Sequence, residues 1–575
     1  LFIGVSLIFL NGFKTYSQQI YATTATEISE GERVDNVENA ASIDSLFARV
    51  NSAGSYSGEL KLEFPSTVPA NSAAYIKVDD LGKGDLDILL GGSIGDLLAD
   101  AGGTTSYGDH YVQVSALDSI GEVVAVGDTN NLFNDPQLFN AVPLKVVKNK
   151  DGDLFITITP TAAYNAIVIK DVTETLAPIS APNFTNVYYA FYLDPTDTSC
   201  NSEEIFTSFD GTGYTLDLLG FGVTGVEDLE FAIDNDSTSF STISVGIISA
   251  EASMYQDIYF STTATNEDIL DLSIRPKSGL IFNVALDRNI TIALYREDEV
   301  VFSQTLDAVP VIETFPTQDG EITKIKVTPE VEFDRLRVTL ASPLGFNLEQ
   351  QVDLFSVKVT PPPPTAPNPQ YFCAVNNPTI ANLEATATGT PIWYDTITGR
   401  EAYAADTPLI DGKKYYGANL TGTCESTERA EVTVILKNPE KPDGDANQSF
   451  CLINKPTIEN LIATAPAATP GTIIWYATET GVDAFATNFE LTNNGVYYAA
   501  SSYEYPDANP DKACESSERL KVTVTIADPE KPDGDPNQSF CVIDDPTIAD
   551  LKATASGTII WYDALTGGTA YATVV

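Results

Sequence analysis

The chain of 575 residues is poor in histidine, methionine, positive charge and long apolar runs. Its one histidine, His110, can serve one site at most. That excludes His-Glu-x-x-His zinc sites, histidine clusters and several catalytic triads in one chain. Only 31 Lys and Arg stand against 80 Asp and Glu, a formal net charge of −49. Such a surplus repels phosphate, and no basic cluster stands out, so nucleic-acid binding and docking to anionic lipid are poor readings. The apolar run Leu1–Leu10 is too short for a membrane span and suits the apolar region of an export signal. The polar stretch Asn11–Gln19 follows, and cleavage near Ser17–Gln19 is expected, leaving residues 1–18 as a signal remnant. No other stretch is long and apolar enough to span a bilayer as a helix. No phosphate-cradling P-loop and no Cys-x-x-Cys pair occurs. His110 lies in Gly108-Asp109-His110-Tyr111 beside Val112-Gln113-Val114, a loop-edge setting more than that of a catalytic base.

What is present begins with a 43% apolar fraction, enough for packed cores. The acidity reads as a solvated extracellular surface, with some carboxylates as candidate Ca²⁺ ligands. The last third repeats itself. Phe372-Cys373, Pro378-Thr379-Ile380 and Ile392-Trp393-Tyr394 recur as Phe450-Cys451, Pro456-Thr457-Ile458 and Ile474-Trp475-Tyr476. They recur again as Phe540-Cys541, Pro546-Thr547-Ile548 and Ile560-Trp561-Tyr562. A second half, Tyr415-Tyr416, Cys424-Glu425-Ser426 and Val432-Thr433-Val434, returns as Tyr497-Tyr498, Cys514-Glu515-Ser516 and Val522-Thr523-Val524. These short β-branched and aromatic runs, bounded by turns such as Asp411-Gly412 and Asn494-Gly495, predict Ig-like antiparallel sandwiches over 371–437, 449–527 and 539–575. The third is expected to break off in mid-domain. The tryptophans are expected in the cores, near the disulfides.

The cysteines imply an oxidising compartment. The layout pairs Cys373 with Cys424 and Cys451 with Cys514, each bridge closing a loop within its own repeat. In the chain-entropy model such a loop of ~50–60 residues contributes roughly 4 kcal/mol. Cys541 is expected to lack a partner before Val575, and Cys200 is left over.

These repeated motifs resemble the Ig-like modules found in tandem in surface proteins of Bacteroidota. The resemblance covers residues ~371–575 and implies an exported, adhesin-like protein. It also implies outer-membrane attachment through a type IX sorting domain C-terminal to Val575. Matching linkers, Pro439–Gln448 and Pro529–Gln538, join the repeats. Their Asp443, Asp445, Asp533 and Asp535 are turn formers or Ca²⁺ ligands between domains. Residues 361–370 are a proline-rich spacer.

An older repeat fills the first two thirds. Ile158-Thr159-Pro160 through Ile169 parallels Val327-Thr328-Pro329 through Val338. Glu38-Asn39-Ala40 likewise parallels Glu230-Phe231-Ala232. Two copies of a jelly-roll-like β-sandwich are predicted, over 19–196 and 197–360, with little helix apart from brief stretches such as Ile94–Leu98. The stretch Ala232-x-Asp234-x-Asp236 resembles the opening of discoidin-like (galactose-binding-like) domains. That resemblance makes Asp234 and Asp236 candidate Ca²⁺ ligands and places glycan contacts in loops of residues 20–360. In the first copy only Asp44 corresponds.

The expectation is therefore an all-β, non-enzymatic protein, secreted or on the cell surface. Its N-terminal sandwiches would bind an extracellular glycan or another surface ligand, with Ig-like repeats as a stalk. The alternative is a carbohydrate-binding module protein, or an accessory part of a larger polysaccharide-acting enzyme. No cofactor is expected apart from Ca²⁺ at the candidate aspartates.

Overall fold

A computed structural model describes residues 19–79, 109–128, 140–174, 183–194, 205–215, 225–245, 249–278, 288–309, 311–317, 320–341, 350–467, 470–505 and 513–572. Residues 1–18, Ile94–Leu98 and Cys200 lie outside them. The described chain is all-β, with strands, short 3-10 turns and no α-helix among the described residues. No helix there is long and apolar enough to cross a membrane. The chain divides into two compact units. One comprises Leu1–Thr365 with Ala385–Ile392 and Gly417–Ala430; the other comprises Ala366–Glu384, Trp393–Tyr416 and Glu431–Val575.

The first unit holds two sandwiches whose strand orders correspond one to one. In the first, one sheet runs Thr24–Glu27, Glu59–Val68, Tyr164–Glu174, Asp109–Leu117, Val123–Asp128. In the second, the same order reads Phe206–Thr215, Ser249–Ala264, Phe333–Ala341, Ile290–Arg296, Glu299–Thr305. The opposing layers correspond equally. Val34–Asp35, Ala48–Ala53, Asn183–Leu193, Ala74–Val78, Leu154–Ile158, Lys145–Asn149 is matched by Gly225–Glu227, Ser241–Val245, Gln350–Thr360, Ile269–Ser278, Gly320–Val327, Val311–Thr317. Even the entry turns agree. Val37–Ala41 and Leu229–Ala232 are 3-10 turns entered through left-handed Asn36 and Asp228, and each buries one alanine, Ala40 or Ala232. Asn and Asp tolerate that backbone conformation.

The copies are joined through unlike sheets. Edge strand Lys145–Asn149 pairs antiparallel with edge strand Phe206–Thr215, Lys148 facing Thr207 and Asn149 facing Phe206. The two layers thus fuse into one thirteen-stranded sheet. Each sandwich keeps its own core, around Leu60, Ile76, Val114 and Ile167 in the first and Ile258, Leu272, Leu336 and Leu354 in the second. Fusing the edges also pairs part of two otherwise open strand edges.

In the second unit, the repeat over 449–527 carries a five-stranded sheet, Asn447–Cys451, Leu520–Ala527, Val496–Glu504, Thr472–Tyr476, with Ala513–Glu515 attached. The first strand runs parallel to the last, Cys451 facing Ala527. The sheet of the preceding repeat has the same order. Opposite it lie paired 3-10 turns, the second entered through a capping box, Thr379 with Asn382 and Thr457 with Asn460. Trp393 and Trp475 are buried. The third copy keeps the capping box, Thr547 with Asp550, but forms no strand among its described residues. Residues 539–575 contain no counterpart of the Cys-Glu-Ser turn or of the last strand against which the first would pair, and Val542, Ile543 and Leu565 stand exposed.

The disulfides correct the pairing expected from the repeat layout. Cys373 bonds Cys514, Cys424 is bonded to a cysteine other than Cys373, and Cys451 and Cys541 are free and exposed. Register explains why. Cys451 is level with Ala527, Ala499 with Leu520, and Cys514 with Tyr503, four residues beyond Ala499. Cys451 and Cys514 therefore sit about eleven residues apart along the sheet, roughly 35 Å at ~3.3 Å per residue. A disulfide needs its Cα atoms within about 7 Å. Across the repeat boundary the same polarity brings opposite ends together, and the Cα atoms of Cys373 and Cys514 lie 5.1 Å apart. Tyr371 packs on Tyr505 at 5.6 Å, and Lys437 Nζ lies 4.9 Å from the Tyr503 ring. The bridge links one repeat to the next and does not belong to the tryptophan core.

Candidate functional site: an aromatic and arginine-rich sheet face

Successive residues of a strand point to opposite sides of its sheet. In Ser249–Ala264, Met254, Ile258 and Phe260 enter the core, leaving Tyr255, Asp257 and Tyr259 on the outer face. In Phe333–Ala341, Leu336, Val338 and Leu340 enter the core, leaving Arg335 and Arg337 outside. Cross-strand register sets Asp257 against Arg337, and Tyr259 and Tyr295 against Arg335.

The side chains interlock. Arg337 donates from Nε to Asp257 Oδ1 and from Nη2 to Asp257 Oδ2, both at 2.7 Å. That two-pronged pair fixes both groups. The Arg337 guanidinium lies 3.6 Å from the Tyr255 ring centroid, and the Arg335 guanidinium 4.3 Å from that of Tyr295. Burial raises the Tyr255 and Tyr259 hydroxyls above the usual tyrosine range, so both stay neutral. Tyr255 donates to Asp210 Oδ2 at 3.2 Å, and Tyr259 to Asp257 Oδ2 at 3.2 Å.

The aromatic surface continues across the joint. Tyr75 stacks on Phe206 at 4.5 Å and on Phe191 at 5.1 Å, and Phe155 meets both phenylalanines edge-on. Phe155, Phe191 and Phe206 are buried and hold the joint. Tyr21, Tyr75, Tyr189 and Tyr259 around them are half-buried, as are Tyr255 and Tyr295. The phenylalanines are therefore structural, whereas the tyrosines present ring surface beside fixed polar groups.

The residues singled out from sequence lie elsewhere. Asp234 and Asp236 form a turn. Asp234 accepts from Asp236 N at 2.8 Å and Ser239 Oγ at 2.6 Å, while Asp236 accepts from Thr238 N at 2.8 Å and Thr238 Oγ1 at 2.7 Å. Those bonds hold the Asp236 carboxyl below its ordinary range. Two carboxylates already accepting local hydrogen bonds fall short of the six to eight oxygens that calcium takes. No group of three or more His, Cys, Asp or Glu able to hold a metal occurs among the described residues. The linker aspartates also build turns. Asp443 and Asp533 each accept from the next glycine N, and Asp445 and Asp535 from the N–H of Asn447 and Asn537.

His110 is no loop-edge residue. It lies in strand Asp109–Leu117 with Nε2 2.9 Å from Oδ1 of buried Asp171, which also accepts from Ser52 and Thr185. The carboxylate stands between imidazole and hydroxyl, whereas a nucleophilic triad needs the imidazole between them. Gly91-Gly92-Ser93-Ile94-Gly95, which has the spacing of a nucleophile elbow, lies outside the described residues.

Comparison with protein families finds no match, and comparison with curated proteins finds none. Among solved structures, one described as the CBM32-1 and CBM32-2 domains of Clostridium perfringens ZmpB in complex with GalNAc is similar over 59% of this chain and 90% of that one. The identity is 10% and the TM-score 0.18. At that level of likeness, any ligand assignment has to rest on this chain's own residues.

Proposed function

We propose that the chain is a non-catalytic, exported binding protein whose first unit holds a saccharide on the outer face of the thirteen-stranded sheet. The observation that carries this reading is the juxtaposition of half-buried tyrosine rings with the Arg337–Asp257 pair and with Arg335 on one sheet face. A pyranose offers an apolar C–H face, which packs on an aromatic ring, and hydroxyls that both donate and accept hydrogen bonds. Tyr255 and Tyr295 supply ring surface, while the Arg337 guanidinium, held in place by buried Asp257, supplies a fixed donor. The site is thus moved from the loops to the sheet. The inter-repeat disulfide supports an oxidising destination, and the Ig-like repeats are read as the stalk.

Glycan-array binding of the intact chain tests the reading. Tyr295→Ala and Tyr255→Ala are each expected to weaken binding about tenfold or more, the scale of a tyrosine anchor. Undiminished binding by both variants would exclude the sheet face as the site, and silence across the array would exclude the saccharide.

A further inference from the structure

Within this face two cations are incompletely paired. Arg335 is 5% exposed, and its Nε has no hydrogen-bond partner. Its guanidinium bonds the Tyr259 hydroxyl, and its Nη2 reaches Glu297 O at 3.2 Å and Asp298 Oδ1, its nearest carboxylate, only at 3.4 Å. Lys145, arriving from the other sandwich, lies 3.8 Å from Asp298 and 5.3 Å from the Tyr259 ring. Well-made charge-assisted bonds are about 2.7–2.9 Å, so Asp298 satisfies neither cation. Asp298 sits in the tight turn between Ile290–Arg296 and Glu299–Thr305, its side chain 81% exposed. The other nearby carboxylates, Asp257 and Asp334, are committed to Arg337 and Arg296. Burial and the neighbouring Arg335 both weaken the hold of Lys145 on its proton, a cost that an added anion would relieve.

We propose that Arg335 and Lys145, framed by Tyr259 and Tyr295, receive the carboxylate of an acidic sugar, and that Asp298 marks the place which this carboxylate takes. The proposal rests on the saccharide reading above and names its ligand class. A single carboxylated sugar suits the site better than a polyanion. The net charge of −49 opposes the approach of a polymer, whereas one carboxylate acts within a Debye length of ~8 Å. Arg335 presents a planar fork matched to a carboxylate, and the tyrosine rings take the apolar sugar face.

Calorimetric titration of the intact chain with sialyllactose, lactose and sulfated lactose tests this. Sialyllactose is expected to bind about tenfold or more tightly than lactose, the scale of one charge-assisted contact. Lys145→Gln should bring it to the lactose level. Asp298→Asn, at an exposed turn, should tighten sialyllactose severalfold and leave lactose unchanged. Equal binding of sialyllactose and lactose would overturn the acidic preference while leaving the saccharide site standing. Tighter binding of sulfated lactose would overturn the carboxylate assignment. No effect of either variant on a real sialyllactose preference would move the anion site elsewhere. Binding of none of the three would remove the proposal, and array silence as well would remove the reading beneath it.

Discussion

Replacing Cys514 by serine separates the two possible architectures of the repeat array. The bridge joins residues 141 apart in sequence. In the chain-entropy model a loop of that size restricts the unfolded chain by about 5 kcal/mol at 25 °C. That figure is a ceiling, reached where both repeats unfold together. If one repeat opens while the other stays folded, each transition shifts by less. The assay is guanidinium denaturation followed by tryptophan fluorescence, which is selective because Trp393, Trp475 and Trp561 all lie in the repeats. Serine at 514 should lower the midpoint and broaden the transition as the two repeats uncouple. Thiol alkylation supplies the sharper readout. In the wild type Cys451 and Cys541 should react, because both are free and exposed. The substitution should add Cys373 to the reactive set. A peptide joining Cys451 to Cys514, or a wild-type Cys451 resistant to alkylation, would refute the register reasoning.

Three further outcomes follow from the structure. Gln448 forms an amide clamp with the backbone of Ile462, at 2.7 and 2.9 Å, and Gln370 and Gln538 do the same with Glu384 and Lys552. Gln448→Ala should cost about 2–3 kcal/mol in denaturant unfolding, two hydrogen bonds at a buried amide. Burial raises the Asp271 carboxyl above its ordinary range, outweighing Lys326, Lys324 and Lys358 nearby. The folded chain therefore binds this proton more tightly than the unfolded chain, and the charged form costs stability above the raised value. Asp271→Asn should raise the melting temperature at pH 7, with the advantage fading as pH falls through that value toward the ordinary aspartate range. Finally, the turn geometry of Asp234 and Asp236 predicts a melting temperature unchanged by EDTA, while Asp234→Ala should lower stability by about 1 kcal/mol through lost turn bonds. A clear drop with EDTA would restore calcium to that loop.

The repeat motifs were legible because they encode local structure. Pro-Thr-Ile marks a capped 3-10 turn, and in the first two repeats Ile-Trp-Tyr marks a strand with a buried indole. The disulfide partners were not, because sequence proximity favours pairing within a repeat whereas strand register places those cysteines at opposite ends of the sheet. The joint between the sandwiches was equally hidden. Its ladder is two residue pairs long, and the aromatic rings that hold it come from strands distant in sequence.

The sheet-face site is not a feature shared by both copies, because the copies are not used alike. At the offset that aligns Thr159-Pro160 with Thr328-Pro329, Arg335 and Arg337 correspond to Ala166 and Val168. The matching sheet of the first copy instead carries ordinary ion pairs, Lys61 with Glu63 and Lys170 with Glu59. A strand pattern was nonetheless available in the second copy. Tyr255-x-Asp257-x-Tyr259 and Arg335-x-Arg337 alternate with Met254, Ile258, Phe260, Leu336 and Val338, with Gln256 the one polar residue among them, so an outward row of rings and charges was written in the period of two. What the period could not supply was the joint that brings Lys145 from the first copy to the Arg335 of the second. The duplication retained the scaffold in both halves. It left Ala166 and Val168 buried on one outer face and built the other, at the seam, into a surface that neither copy presents alone.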